Sequence, residues 1–252
     1  MKKIVVANWK MNLTVGESTL LIKELIKQIG PGVGKADVVL CPSYLAITEA
    51  SKLLAGTGVK LGAQNVFSEP KGAYTGEISP RMLREWNVEY VIVGHSERRE
   101  NLGETDLMVN KKIKNALEND LKPIICVGET KAERKAGKKK KVVEAQIKKA
   151  LAGVRLDSEK EIVIAYEPVW VIGTGKPVEP EDAEEMHEMI DKLLIKLYGP
   201  EARKKNFRII YGGSVDGDSA KNFFAEKLID GSLVGAASLR VEEFVKIVKA
   251  AI

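Results

Sequence analysis

Eight short runs rich in Val, Ile and Leu recur along the chain, each followed by a stretch of helical period, and this alternation limits the folds open to it. The runs are KIVVANWK (3–10), ADVVLCP (36–42), VKLGAQNV (59–66), YVIVGHS (90–96), KPIICVGE (122–129), IVIAYEPV (162–169), FRIIYGGS (207–214) and SLVGAAS (232–238). Between them, segments such as ESTLLIKELIKQI and EDAEEMHEMIDKLLIKLY carry apolar residues on one face and Lys or Glu on the other. Near-continuous apolar strands suit a parallel sheet covered by helices. Eight such units in 252 residues match the count and length of a closed (β/α)8 barrel. No linker rich in Pro, Gly or Ser divides the chain, so the sequence predicts one α/β domain over 1–252, eight parallel strands ringed by helices. A doubly wound open sheet would need a G-x-G-x-x-G turn after the first strand, and NWKMNLTVGE is not one.

With 44% hydrophobic and 30% charged residues, the chain can build a sizeable core, and neither disorder nor collagen fits the balance. Its two cysteines, Cys41 and Cys126, each end an apolar run, where buried reduced thiols are expected rather than a disulfide framework. A cytoplasmic location follows. The N-terminal run IVVA is broken by Asn8, Trp9 and Lys10 and is too short for a signal-peptide core, and no run approaches the roughly 20 apolar residues of a membrane span. A net charge of +5 suits an anionic ligand and raises nucleic acid as a rival partner. The lysines at 138–141, however, continue into the amphipathic VVEAQIKKAL without interleaved aromatics and read as a solvated helix face, so no nucleic-acid partner is expected. No His/Cys/Asp cluster has metal-ligand spacing, and no metal is expected.

In a barrel the carboxyl ends of the strands converge on one mouth, so polar residues there meet in space. Strand one ends with Asn8 and Lys10, strand four with His95, Ser96 and Glu97, strand six with Glu167, strand seven with YGGS up to Ser214, and strand eight with GAAS, which includes Gly235 and Ala236. Glycine-containing turns can present backbone N–H groups to an anion, or serve turn geometry alone. Lys10 needs a partner, either Glu97 or a substrate anion. Taken alone, His95 is either a hydrogen-bonded core residue or a catalyst. Glu167, after IVIAY, is poorly solvated when ionised, which suits a general base, and the alternative is a carboxylate paired with an arginine. His187, among the carboxylates of EEMHEMI, reads as a surface residue.

The segments ANWKMN (7–12), GAQNV (62–66), GAYTGEIS (72–79), YVIVGHSERR (90–99), CVGE (126–129), AYEPVWVIGTGK (165–176), YGGSV (211–215) and LVGAASL (233–239) resemble, in order and across the whole chain, the triosephosphate isomerase family. The resemblance implies that Glu167 is the base moving a proton between two carbons of a triose phosphate and that PVWVIGTGK is a lid over it. It further implies that neutral His95 polarises the carbonyl, that Lys10 supplies positive charge, held by Glu97, and that Asn8 donates a hydrogen bond. Ser96 and Cys126 stand behind these groups, while Gly173, Ser214, Gly235 and Ala236 offer N–H groups to the phosphate. It calls for no metal or organic cofactor. It also implies a homodimer in which the 64–79 loop places Thr75 near a neighbour's active site. The chain departs from the family's usual pattern at Val171, at Lys176-Pro177-Val178, at Ala236 in place of a second glycine, and at DGDSAKN after YGGSV. These departures bear on rate and affinity. The rival readings are an aldolase-type barrel using Lys10 as a Schiff-base nucleophile, against which an adjacent Glu97 favours the ammonium form, and an impaired barrel serving as a non-enzymatic binding scaffold.

Overall fold

The computed structural model describes residues 1–30, 34–172 and 178–252. Each of the eight apolar runs overlaps a strand, two of which begin slightly earlier than the run: β1 (Ile4–Asn8), β2 (Asp37–Cys41), β3 (Lys60–Ala63), β4 (Val88–Val93), β5 (Lys122–Val127), β6 (Ile162–Tyr166), β7 (Phe207–Tyr211) and β8 (Gly231–Val234). They pair in chain order, all parallel, and β1 closes on β8 to complete the barrel. At the seam Ile4 sits opposite Gly231, where an added Cβ would fall 1.8 Å from the Ile4 carbonyl oxygen. Only glycine lets the two backbones close there.

Around the barrel run α1 (Val15–Ile29), α2 (Ile47–Leu54), α3 (Pro80–Glu85), α4 (Ser96–Asn101), α5 (Asp106–Glu118), α6 (Lys131–Lys135), α7 (Lys139–Ala150), α8 (Pro180–Tyr198), α9 (Pro200–Asn206), α10 (Ala220–Ala225) and α11 (Val241–Ala250). Local chemistry starts many of them. The Thr14 hydroxyl accepts from Glu17 N–H at the head of α1 while the Glu17 carboxylate accepts from Thr14 N–H, so two orphan donors are satisfied reciprocally. The lysine run opens α7, where Lys139 and Lys140 both pair with Glu185 of α8. That is the helix-face reading, with a partner.

Strand parity separates two apolar layers. Ile4 and Val6 of β1, Ile124 and Cys126 of β5, Val163 and Ala165 of β6, Ile210 of β7 and Leu233 of β8 fill the barrel interior. Their alternates, among them Val5, Ala7, Ile125, Val127, Ile164 and Tyr166, point outward and pack under the helices. Both faces of each strand are thus buried, which is why the runs read as nearly continuous apolar segments instead of alternating ones.

One expectation fails here. His187 is fully buried in α8, with Nδ1 3.0 Å from the Leu228 carbonyl and its ring edge-on to Tyr166. Its helical neighbours at one-turn spacing, Ala183, Ile190 and Leu194, are buried too. Helical period outweighs the charges adjacent in sequence. Burial holds the imidazole down at about 4, so it is neutral near pH 7.

Candidate active site

Parity also builds the mouth. Continuing the inward set by one step beyond Val6 and Ala165 brings Asn8 and Glu167 to the carboxyl end, both buried. There a cavity of about 370 Å³ is lined by Asn8, Lys10, His95, Glu167, Ser214, Gly235 and Ala236. Of the other residues singled out from the sequence, Ser96 and Cys126 line a second cavity on the far side of Glu167. Glu97 holds Lys10, and Thr75 is exposed on the 64–79 loop, apart from this cavity. Gly173 and Pro177 lie outside the described residues.

Lys10 has a left-handed backbone, φ 53°, which a residue with a Cβ adopts at a cost of about 1–3 kcal/mol. Neighbours hold it there. Its N–H donates to Asn8 Oδ1 (3.1 Å), and its carbonyl accepts from Gln64 Nε2 (2.8 Å). Its ammonium donates to Glu97 Oε1 (2.5 Å). The stem passes close to the loop after β8, since a Cβ added at Gly235 would lie 3.6 Å from Lys10 Cε. The chain spends backbone strain to place one cation between α4 and that loop.

His95 caps α4. Its Nδ1 accepts from Glu97 N–H (3.2 Å), which uses the lone pair of that nitrogen. Nδ1 also lies 3.6 Å from a Glu97 carboxylate oxygen, but a nitrogen already accepting an N–H has no proton to share in an ion pair, so the cap governs. The single ring proton is therefore on Nε2, which faces the cavity.

Glu167 is anchored on one side only. Oε2 accepts from Ser96 N–H at the head of α4 (3.0 Å), whereas Oε1 is 3.1 Å from His95 Nε2 without the alignment of a hydrogen bond and has no other partner among the described residues. The backbone beneath it is pressed against β5: Glu167 N–H donates to Val127 O (2.7 Å), and a Cβ at Gly128 would fall 1.6 Å from the Glu167 carbonyl oxygen. Behind the carboxylate, burial and then the Glu167 charge push the Cys126 thiol well above its ordinary value. It stays a neutral thiol.

At the other end of the cavity, the Ser214 hydroxyl donates to Val171 O (2.9 Å), joining the loop after β7 to the 3₁₀ turn Val169–Val171 that follows β6. After β8, Gly235 leads into one 3₁₀ turn, Ala236–Leu239, whose first N–H groups have no acceptor within the turn. Ala236 is not among the residues with positive φ, so its methyl imposes no backbone strain.

Three residues escaped the sequence reading. Asp216 and Arg240 line the cavity from loops whose course no periodicity reveals. Glu129, fully buried beyond β5, accepts from Tyr166 OH (3.0 Å) and Trp170 Nε1 (3.1 Å) and lies 3.6 Å from Arg134 Nη1. It ends KPIICVGE as Glu167 ends IVIAYE, so the strand-end rule that found one carboxylate could have found the other.

Comparison with known proteins follows the same lines. The family profile described as triosephosphate isomerase matches residues 3–251. The chain is 50% identical over 247 residues to the triosephosphate isomerase of Caldanaerobacter subterraneus subsp. tengcongensis, covering 98% of each chain. It is 51% identical over 248 residues to that of Aquifex aeolicus, covering 98% of this chain and 99% of the relative. With that of Carboxydothermus hydrogenoformans the identity is 49% over 251 residues, covering 100% and 99%. With eight parallel strands closed on themselves, a buried glutamate facing a helix-capping histidine at their carboxyl end, and this likeness from end to end, the chain belongs to the triosephosphate isomerase family.

Proposed function

We propose that this chain interconverts dihydroxyacetone phosphate and D-glyceraldehyde 3-phosphate by moving a proton between adjacent carbons through an enediolate. The observation that carries the mechanism is the unpartnered Glu167 Oε1, buried and facing His95 Nε2 across 3.1 Å. A buried carboxylate oxygen without a donor among the described residues keeps a lone pair for a carbon-bound proton. As the proton leaves, charge develops on the carbonyl oxygen. The Nε2–H of His95 donates to that oxygen and can pass its proton between the two oxygens of the enediolate, while the Lys10 ammonium and the Asn8 side chain stabilise the same charge. Donors fixed in advance need no reorganisation at the moment of reaction. The phosphate lies at the opposite end, where Ser214, Gly235 and Ala236 offer N–H groups. Gripping it there, away from water, disfavours its expulsion from the enediolate.

Lys10 acts as an ammonium in this scheme, and its ion pair with Glu97 argues against a Schiff-base role. The lysine run paired with Glu185 likewise gives no support to a nucleic-acid scaffold. We further propose that residues 1–252 form a single domain, since the barrel draws strands from Ile4 through Val234, and that the protein is cytoplasmic, in keeping with two buried free cysteines. No helix among the described residues is long and apolar enough to cross a membrane. A homodimer through the 64–79 loop is part of the proposal. The loop is internally ordered by Phe67 N–H to Ile78 O (2.8 Å) and a Phe67–Tyr74 ring contact, and it presents Thr75. Met11 and Leu45 are 97% and 82% exposed, and a cavity beside Lys10, Gln64 and Glu97 could receive a neighbour's loop.

The test is Glu167→Asp, which withdraws the carboxylate by one methylene. Misplacement of that size costs on the order of 10²-fold in kcat/KM, with circular dichroism and melting unchanged. Near-wild-type turnover in the folded variant would remove Glu167 as the base.

A further inference from the structure

The phosphate end of the cavity holds a cation that the proton chemistry above does not use. Arg240 follows the 3₁₀ turn that carries Ala236, is exposed, and lines the cavity wall. Among the described residues its guanidinium makes no hydrogen bond and no ion pair, although its charge acts on Glu243, whose carboxyl is held low chiefly by the Gly217 N–H. Lys10, the other cation in the wall, is committed to Glu97. Among the described residues, Arg240 is the cation there that is free to turn towards an arriving anion.

Its setting makes that freedom matter. The same side chain lines an adjoining cavity with Asp216, Asp218, Glu242 and Glu243. Asp216 also faces the active-site cavity, and its carboxyl is held low by the Ser219 N–H, so it is ionised near neutral pH. Lys246 offsets Glu243 at 3.5 Å. Without Arg240, a dianion bound at the Ser214, Gly235 and Ala236 end would meet an acidic surface with, among the described residues, no free cation between.

We propose that Arg240 is a substrate-binding residue specific for the phosphate dianion, drawing it in and screening it from the acidic cluster. This rests on the placement of the phosphate at the Ser214–Ala236 end. Arg240 acts through charge at the rim, so it governs capture and affinity. The proton transfer at Glu167 lies at the other end of the cavity and does not depend on it.

Arg240→Gln, Arg240→Lys and Asp218→Asn test this in steady-state kinetics with D-glyceraldehyde 3-phosphate, using inorganic phosphate as a competing ligand. At low ionic strength, about 10 mM, where charges act over roughly 30 Å, Arg240→Gln should raise KM and the inhibition constant of phosphate about five-fold, while kcat moves less than about two-fold. At about 0.2 M salt the effect should shrink. Arg240→Lys should recover most of the loss, and Asp218→Asn should shift both constants the opposite way. Equal constants for Arg240→Gln and wild type at low salt would overturn the proposal, as would a fall in kcat matching the rise in KM, or a lysine variant as weak as glutamine. If inorganic phosphate fails to compete even in an active wild-type enzyme, the placement of the phosphate falls, and this proposal falls with it. If it competes in wild type and equally in Arg240→Gln, only this proposal falls.

Discussion

The two ends of the barrel are made from the same strands by the same parity, yet they treat polar groups in opposite ways. One inward step before the apolar layer lie Asp37, Tyr90, Lys122, Glu161 and Arg208. There the buried Arg208 guanidinium donates to Glu161 (2.6 Å), Asp37 (2.7 Å) and the Tyr90 hydroxyl (2.9 Å), while Lys122 pairs with Glu161 and lies over the Tyr90 ring. One step after the layer lies Glu167 with an oxygen that no donor among the described residues satisfies. A saturated network closes the amino end, and an unsaturated one opens the carboxyl end to chemistry. Glu129 sharpens the point, because it stands at the same end as Glu167 and has donors on both oxygens. Being a buried carboxylate at the mouth is not sufficient for a base. An oxygen left free is the difference.

If that contrast holds, damage at the closed end should cost stability and spare kinetics. Arg208→Met leaves Glu161 and Asp37 without their main partner. Removing one member of a buried charge network costs about 3–5 kcal/mol, to be read by urea unfolding, with kcat/KM of the folded fraction close to wild type. A parallel fall in kcat/KM would show that the two ends are coupled and would break the comparison.

His187 gives the next largest effect, through pH. Burial holds it at about 4 in the folded chain, against 6.5 for an unburied imidazole. Between those values the unfolded chain binds the proton and the folded chain does not, so stability is unaffected above about pH 6.5 and falls as pH drops towards about 4. The loss approaches about 3 kcal/mol. Melting measured from pH 7 to 4 should show that slope, and His187→Asn should flatten it. An unchanged slope in the variant would assign acid sensitivity to other groups.

The smallest effect is expected at the open end. Because Ala236 lies in a 3₁₀ turn without positive φ, Ala236→Gly should change kcat/KM by less than about three-fold, or 0.7 kcal/mol. A ten-fold gain would mean that the methyl obstructs the phosphate end and that the cavity is less complete than its geometry suggests.

The barrel was legible because eight apolar runs buried on both faces leave few alternatives, and the mouth was legible because carboxyl ends converge. Lys10 and Glu97 could be paired on charge alone, and the structure joins them at 2.5 Å. The amino-end network was not read, although Asp37, Lys122 and Arg208 all stand within the quoted runs. A charge at the start of a strand looks like a solvated flank until the register of the closed sheet brings four of them together around the Tyr90 hydroxyl. His187 was misjudged by weighing its sequence neighbours above its helical period. Asp216 and Arg240 lie on loops, where position depends on turns that carry no repeat.

The left-handed backbone at Lys10 has a consequence for anyone who would improve this protein. Glycine relaxes such a backbone without penalty, so a screen that rewards folding alone will favour it at position 10 and discard the ammonium in the same step. At that residue durability and activity are rival objectives, and the native sequence records which of them selection placed first.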